Sequence, residues 1–464
     1  DSETCLSRIK QTVSDGFSYT IKLLGYGIVQ DPVAMRLNTN NLALDPVWNG
    51  IYSNRTQELN RYQLESDLRV DLRLRLEKVT MAVKPRLTLK WQEWRDGMMP
   101  DDESEEEVDL YVNEWLLRYQ MLDTLFVSYT RENLQWGPSY LFSPSNPFGG
   151  DNGRNNPKME VPGADYVKVA WSPEDKWTAT VSANVDEGRR NIEKDVTSEY
   201  NQITDQVDSQ YQAGLQEIDR QYNEALDSLD PLKPFPRLYS EALSTANAEK
   251  NKQVQAAAET YNQSLLSADD WRTKMTTDFD PSIALKLDRV VDQQNQSIVI
   301  SKRESSDPRA GVYGSWNVSD AMVFYTEASA AEKDVEYLIG DSYTLLSGAN
   351  IACEYFYNES GNRHDPISQC VAPFRPVDPR EVFLRRNYLL LQYNQMDLLD
   401  LFDLTVRWTF NLDDDSTRGI GILTYDLGDY TQLFSTLTLN TGDEDTEFGS
   451  ALTYSFMAGV ECTF

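Results

Sequence analysis

The 464-residue chain has one histidine, four cysteines and no stretch near the roughly 20 consecutive apolar residues that a membrane-spanning helix needs. Each shortage excludes something. His364 sits in a polar loop with no recognisable base-and-nucleophile arrangement around it, so the chain does not read as an enzyme. The cysteine spacing suggests neither a zinc site nor haem attachment, and no Gly-rich phosphate loop follows a strand; no metal or cofactor is expected. Positive charge is also scarce. With 43 Lys and Arg against 74 Asp and Glu, the net charge of −31 argues against a nucleic-acid partner. A mean hydropathy of −0.55 excludes a helical membrane protein. It does not exclude a transmembrane β-barrel, whose lipid face uses only alternate residues.

Alternation is what the chain has in quantity. In "LRVDLRLRL", Leu68 to Leu76, apolar residues take every second position and charges fill the gaps. The division extends from Leu64 to Glu77, with Glu65, Asp67, Arg69, Asp71, Arg73 and Arg75 on the charged side. After a reversal near Lys78 the next run sets Val79, Met81, Val83, Leu87, Leu89 and Trp91 against Lys84, Arg86, Lys90 and Gln92. Later segments repeat it, as where Leu404, Val406, Trp408 and Phe410 alternate with Thr405, Arg407 and Thr409. Period two marks strands whose faces meet different surroundings. One such strand taken alone fits a soluble sheet better. Runs of about a dozen residues exceed the usual 5–6 of a soluble strand and match the 9–11 of a tilted membrane crossing. Twenty-five tyrosines and ten tryptophans suit aromatic girdles at two interfaces.

About sixteen such segments run from 64–77 to 448–464, six before residue 191 and ten after 268, with 319–329 and 341–357 among them. The last, "FGSALTYSFMAGVECTF", ends in Phe464 with Leu452, Tyr454, Phe456, Ala458, Val460 and Cys462 on one face. It resembles the closing strand of Gram-negative outer-membrane barrels of the porin and exporter kind. The resemblance implies an outer-membrane location and recognition of the Phe464 strand by the barrel-insertion machinery. "QWGPSYLFSPSNPF" within Thr130 to Tyr166, with "EYFYN" (Glu354 to Asn358) and "NLDDDS" (Asn411 to Ser416), is similar to phrases of capsule-assembly and alginate-export barrels. That likeness implies a long ordered loop folded into or beneath the lumen; a plain surface loop is the alternative.

Between residues 191 and 268 alternation stops. Val196, Tyr200, Ile203, Val207, Tyr211, Leu215 and Ile218 step by threes and fours, "DPLKPFP" interrupts, and Leu243, Val254, Ala257 and Tyr261 resume. The pattern predicts an antiparallel coiled-coil hairpin. Six strands before it would put it on the periplasmic side, beside both chain ends, where it could dock a periplasmic or inner-membrane protein or simply extend the barrel.

The chain starts at Asp1 rather than methionine, as a processed exported protein would and as a trimmed chain would. In an oxidising compartment Cys353 and Cys370, close in sequence and flanking a polar loop, are the preferred disulfide, leaving Cys5 and Cys462 as a second pair. The expectation is an all-β transmembrane antiparallel barrel of about sixteen strands: a 1–60 periplasmic or lumen-filling segment, barrel at 61–190, the helical hairpin at 191–268 and barrel at 269–464. Its lumen would be lined by Glu65, Asp67, Arg69, Asp71, Arg73, Arg75, Lys84, Arg86, Lys90 and Arg407, a wall suited to polar or anionic solutes unless the charges pair across strands. Two other functions fit the same pattern: the outer-membrane part of an envelope-spanning export or assembly system, and a plugged structural or surface-interaction barrel.

Overall fold

The computed structural model describes residues 16–32, 60–94, 103–149, 153–161, 163–186, 188, 193–276, 279–292, 294–363, 383–399, 401–443, 446–450 and 452–464. In chain order the strands are β1 (Phe17–Pro32), β2 (Tyr62–Arg75), β3 (Val79–Trp94), β4 (Glu103–Leu122), β5 (Leu125–Glu132), β6 (Ala164–Glu174), β7 (Trp177–Asp186), β8 (Ser282–Val291) and β9 (Gln294–Arg303). Then follow β10 (Arg309–Asn317), β11 (Met322–Ala331), β12 (Asp334–Thr344), β13 (Asn350–Asn358), β14 (Asn387–Leu398), β15 (Phe402–Asn411), β16 (Thr417–Asp426), β17 (Thr431–Thr441) and β18 (Leu452–Thr463). Two helices, α1 (Glu193–Ser228) and α2 (Pro236–Thr276), lie between β7 and β8.

Every strand pairs antiparallel with its neighbour in sequence, and β1 closes the ring between β2 and β18, with Lys22 opposite Arg69 on one side and Thr463 on the other. No edge is left open. Leu64 and Leu68 of β2, Ile283 and Leu285 of β8, and Ile298 and Ile300 of β9 are exposed on the outer face, while Asp67, Ala284 and Val299 between them are buried. The outside is a continuous apolar belt and the hydrogen-bonded backbone is satisfied within the sheet, the condition for spanning a bilayer with strands.

The barrel has eighteen strands, not about sixteen. One missed strand is β1, inside the 1–60 stretch expected to be a periplasmic or lumen-filling segment. Its inner face carries Leu24, Tyr26 and Ile28, and its outer face has Gly25 and Gly27 between Leu23 and Val29, so apolar residues occur on both parities. The other lies within 319–357, where β11, β12 and β13 replace two expected segments. There Leu338 faces inward, Asp341 faces outward, and Gly340 leaves room for the Tyr325 ring, whose atoms would lie 2.5 Å from an added Cβ.

Seven strands therefore precede the helices, an odd number. The hairpin leaves the barrel at the end opposite Phe464 and the short turns such as 76–78, 123–124 and 175–176, which corrects the expected periplasmic placement beside the chain ends. α2 extends past the expected boundary at 268, reaching Thr276. Tyr211 stacks on Tyr261 at 4.5 Å, the Tyr261 hydroxyl donates to Asp208 at 2.6 Å, Tyr222 donates to Asn247 at 2.6 Å, and Lys250 pairs with Asp219 at 2.7 Å. At 1.5 Å per residue the 36-residue α1 is about 54 Å long.

Cys353 stands in mid-β13 on the outer face, with Ile351 and Tyr355, rather than flanking a loop, and Cys462 faces outward on β18. Among the described residues both are free thiols; their expected partners Cys370 and Cys5, like His364, lie outside the described residues.

At the long-loop end, three connections are tied through Glu447, between β17 and β18. Its carboxylate accepts from Leu384 N at 3.1 Å, the Tyr388 hydroxyl at 2.5 Å and Asn411 Nδ2 at 2.7 Å. Its own N–H donates to Asp414, which pairs with Arg385 at 3.0 Å. Burial pushes the Glu447 carboxyl up to about 7. A carboxyl raised on folding stabilises the fold below its unfolded value and loses that contribution as pH rises through its folded one. Unfolding of the barrel in detergent should accordingly show stability falling between about pH 4.5 and 7, by about 3 kcal/mol at 1.36 kcal/mol per unit, with Glu447→Gln flattening that slope.

Candidate functional site

The described parts of the connection between β5 and β6, residues 133–149, 153–161 and 163, do not stay outside the barrel. Its first limb is rich in proline, glycine and serine, which suits an irregular path whose backbone donors need partners elsewhere. Two glutamates of the wall supply them. Glu327 of β11 and Glu354 of β13 are both fully buried on the inner face. Glu327 accepts from Ser139 N at 3.1 Å, Ser143 Oγ at 2.6 Å and Ser145 Oγ at 2.8 Å. Glu354 accepts from Tyr140 N at 2.6 Å, Leu141 N at 2.7 Å and the Tyr325 hydroxyl at 2.6 Å. Hydrogen bonds to a charged acceptor are each worth about 1.5–3 kcal/mol, and removing the acceptor leaves buried donors unsatisfied. Gly137 makes the approach possible: its φ is +87°, and a Cβ there would lie 2.4 Å from Glu327 Oε1.

Apolar anchors flank this polar clasp. Trp136 and Phe148 meet edge-on at 5.2 Å, and Phe148 meets Tyr166 at 5.1 Å, in a cluster with Ala284, Val299 and Tyr313 of the wall. Phe142 packs on Phe356 at 5.0 Å and on Phe383 at 6.1 Å. Asn146 staples the limb to itself by donating to Leu134 O and Gly149 O.

The second limb, residues 153–161, continues round the wall as a run of turns in which burial alternates. Asn155 accepts from Arg407 Nη1 of β15 at 3.1 Å, Asn156 reaches Met457 of β18, Lys158 donates to Gln432 of β17 at 2.5 Å and lies 3.4 Å from Glu461, and Glu160 pairs with Arg86 of β3 at 2.7 Å. Asn155, Pro157 and Met159 are exposed between these contacts. The loop thus leaves β5, touches β8 to β10, β11 to β14, β15, β17, β18 and β3, and returns to β6. It lines the lumen as an inner ring.

The ten residues expected to line the lumen all lie on the inner face, opposite in parity to Leu64, Leu68 and Leu89. Many of the charges are paired. Asp67 accepts from Arg69 at 2.7 Å and Thr88 at 2.8 Å, Arg86 bridges Asp71 at 2.9 Å and Glu160, Lys84 pairs with Glu114, and Lys90 stands opposite Glu65 in register. Arg86 is 3% exposed and serves as an anchor of the ring. Arg73 and Arg75 are exposed, and Arg407 bonds Gln392 and Asn155. Sequence reasoning missed Glu327, Glu354 and Gly137. The available signal was an acidic residue alternating with aromatic and small side chains in "FYTEAS" and "CEYFY".

No protein family and no curated protein sequence matches the chain. Solved structures do. OccK5 (OpdH) of Pseudomonas aeruginosa aligns over 97% of this chain and 98% of its own at 7% identity, with a TM-score of 0.51. OccK7 (OpdD) of the same organism aligns over 97% and 98% at 7% identity and a TM-score of 0.49, and a Rhodopseudomonas blastica porin mutant over 97% and 100% at 9% and 0.40. The likeness to OccK5 is one of fold: a closed antiparallel β-barrel.

The clasp is testable without reference to transport. Replacing Glu327 and Glu354 together by alanine should leave the barrel folded by circular dichroism while making residues 133–163 cleavable by protease in detergent. A loop that stays protected in the folded double variant would show that the aromatic anchors suffice.

Proposed function

We propose that the chain is a channel of the Gram-negative outer membrane that passes small polar solutes and favours anions. The observation that carries the reading is the path of the inner loop: fixed to the wall at both ends and at points between, it narrows the lumen around its circumference while Asn155, Pro157 and Met159 are exposed. An inner loop held by wall charges sets the size of what passes, and the charges left unpaired bias its sign. Among the described residues Arg73, Arg75, Arg118 and Arg407 have no carboxylate ion pair, which supports an anion preference within a chain of net charge −31.

The end bearing the long connections reads as the outside, because barrels of this kind turn tightly on the periplasmic side and carry longer loops outside. The α1–α2 hairpin then projects from the cell surface, which removes the strand-count argument for docking to a periplasmic or inner-membrane partner.

Planar-bilayer recording of the purified chain tests the main reading. Stepwise conductance is expected, with a reversal potential under a KCl gradient that shows excess chloride flux and moves toward neutrality in an Arg73→Ala, Arg75→Ala double variant. A protein that inserts but carries no current refutes it.

A further inference from the structure

The inner faces of β4 to β8 enclose a recess that the mixed charges of β2 and β3 do not line. Its volume is about 310 Å3, and Leu134 and Trp136 of the inner loop complete its wall. Three cations line it: Arg118, Lys168 and Lys286. Two are balanced, Lys168 by Glu132 and Lys286 by Asp288 at 3.1 Å. Arg118 is exposed into the lumen and has no ion pair among the described residues, so the recess carries one uncompensated positive charge.

Ser182 adds an independent observation. It lies on the wall of the recess, is 0% exposed, and its Oγ has no hydrogen-bond partner among the described residues. A buried hydroxyl left unpaired costs about 1–3 kcal/mol, so such groups are normally satisfied. Beside it Thr180 contributes a second hydroxyl, and Lys286 Nζ sits 5.2 Å from the centroid of the Trp136 ring. A free guanidinium and hydroxyl donors converging on one small chamber are the donor set of an oxyanion site. The ring at the side offers an apolar face to whatever body the oxyanion carries.

We propose that this recess is a binding station for small oxyanions, phosphate or carboxylate, held by Arg118 and Ser182. The station deepens the channel reading and rests on it for its use, since it would concentrate anions beside the constriction. It adds a site of charge selection to the exposed Arg73 and Arg75 of the wall, whereas the exposed Asn155, Pro157 and Met159 of the ring carry no charge.

Binding can be measured independently of conduction. Calorimetry of the full chain in a non-ionic detergent, titrated with inorganic phosphate and separately with benzoate, should show saturable binding of at least one of them. Arg118→Ala and Ser182→Val should each weaken it by about tenfold, the loss of one hydrogen bond involving a charged group. Lys22→Ala, on the inner face of β1, should leave it unchanged. Tighter binding of benzoate than of phosphate would assign Trp136 a part; the reverse would assign the site to the bare oxyanion. The proposal is overturned if neither anion binds the wild-type chain, or if Lys22→Ala weakens binding as much as Arg118→Ala does, which would mean a diffuse field. Binding without bilayer current would retain the station and refute the channel, so the two failures are distinct.

Discussion

Two buried carboxylates on the barrel wall organise the interior. Glu327 and Glu354 are fully removed from solvent, and an ionised carboxylate in such a place is tolerated only with several donors around it. The donors come from the backbone N–H groups and serines of residues 139–145. Neither side is satisfied alone: the loop segment has too little regular structure to satisfy its own amides, and the wall glutamates have no ion pair among the described residues. Each completes the other. Gly137 follows as a necessity, since no side chain fits between the backbone and Glu327.

That clasp also decides what the rest of the wall must be. Where Phe142 lands, the inner face turns apolar, with Tyr325, Leu338, Phe356 and Tyr388. Where the second limb passes, Phe434 and Met457 join Leu24, Tyr26 and Ile28 in another inner apolar cluster, with Lys158 over the Phe434 ring. The β2–β3 wall stays charged, and there the loop answers with Glu160 on Arg86. An interior polar throughout would suit an unobstructed pore. This one is polar in sectors, each matched to the loop residue that faces it.

The legibility of the sequence follows the same division. Where one face is apolar and the other polar or charged, as in β2, β3 and β18, period-two alternation identified the strand. Where the loop packs, alternation fails because both faces are apolar. β1, with Leu24, Tyr26 and Ile28 inward, and the β11–β13 region, with Leu338 inward and Asp341 outward, are the places the strand count fell short. The error was thus not random. Missing β1 alone changed the parity before the helices, and the hairpin moved to the other end of the barrel. The helical hairpin itself was plain, because its stripe depends on local spacing and not on what covers it. The loop's existence could be read from its composition, but its ring-like course depends on residues hundreds of positions away, such as Glu354 and Met457, which no local pattern links to it.

Charge inside this barrel therefore does two separate jobs, and counting charged residues conflates them. Arg86, Asp71, Glu160, Lys84, Glu114, Lys158 and Glu461 are in mutual contact, and their fields largely cancel at any distance beyond the pair. They hold the ring to the wall. On the channel reading proposed above, what a solute would meet is the remainder, and in a water-filled lumen screened over roughly 8 Å at physiological ionic strength only near charges would matter. The exposed part of the ring offers an amide, a proline and a thioether at Asn155, Pro157 and Met159, so on that reading the ring itself would discriminate by size and hydration. Discrimination by sign would then fall to the guanidinium groups that have no ion pair among the described residues, of which Arg118 shares a recess with Thr180 and Ser182 and Arg407 is tied to the ring through Asn155. The anion preference proposed above is compatible with a strongly acidic chain on this basis, because it would depend on which charges are left over near the path and not on the sum of −31.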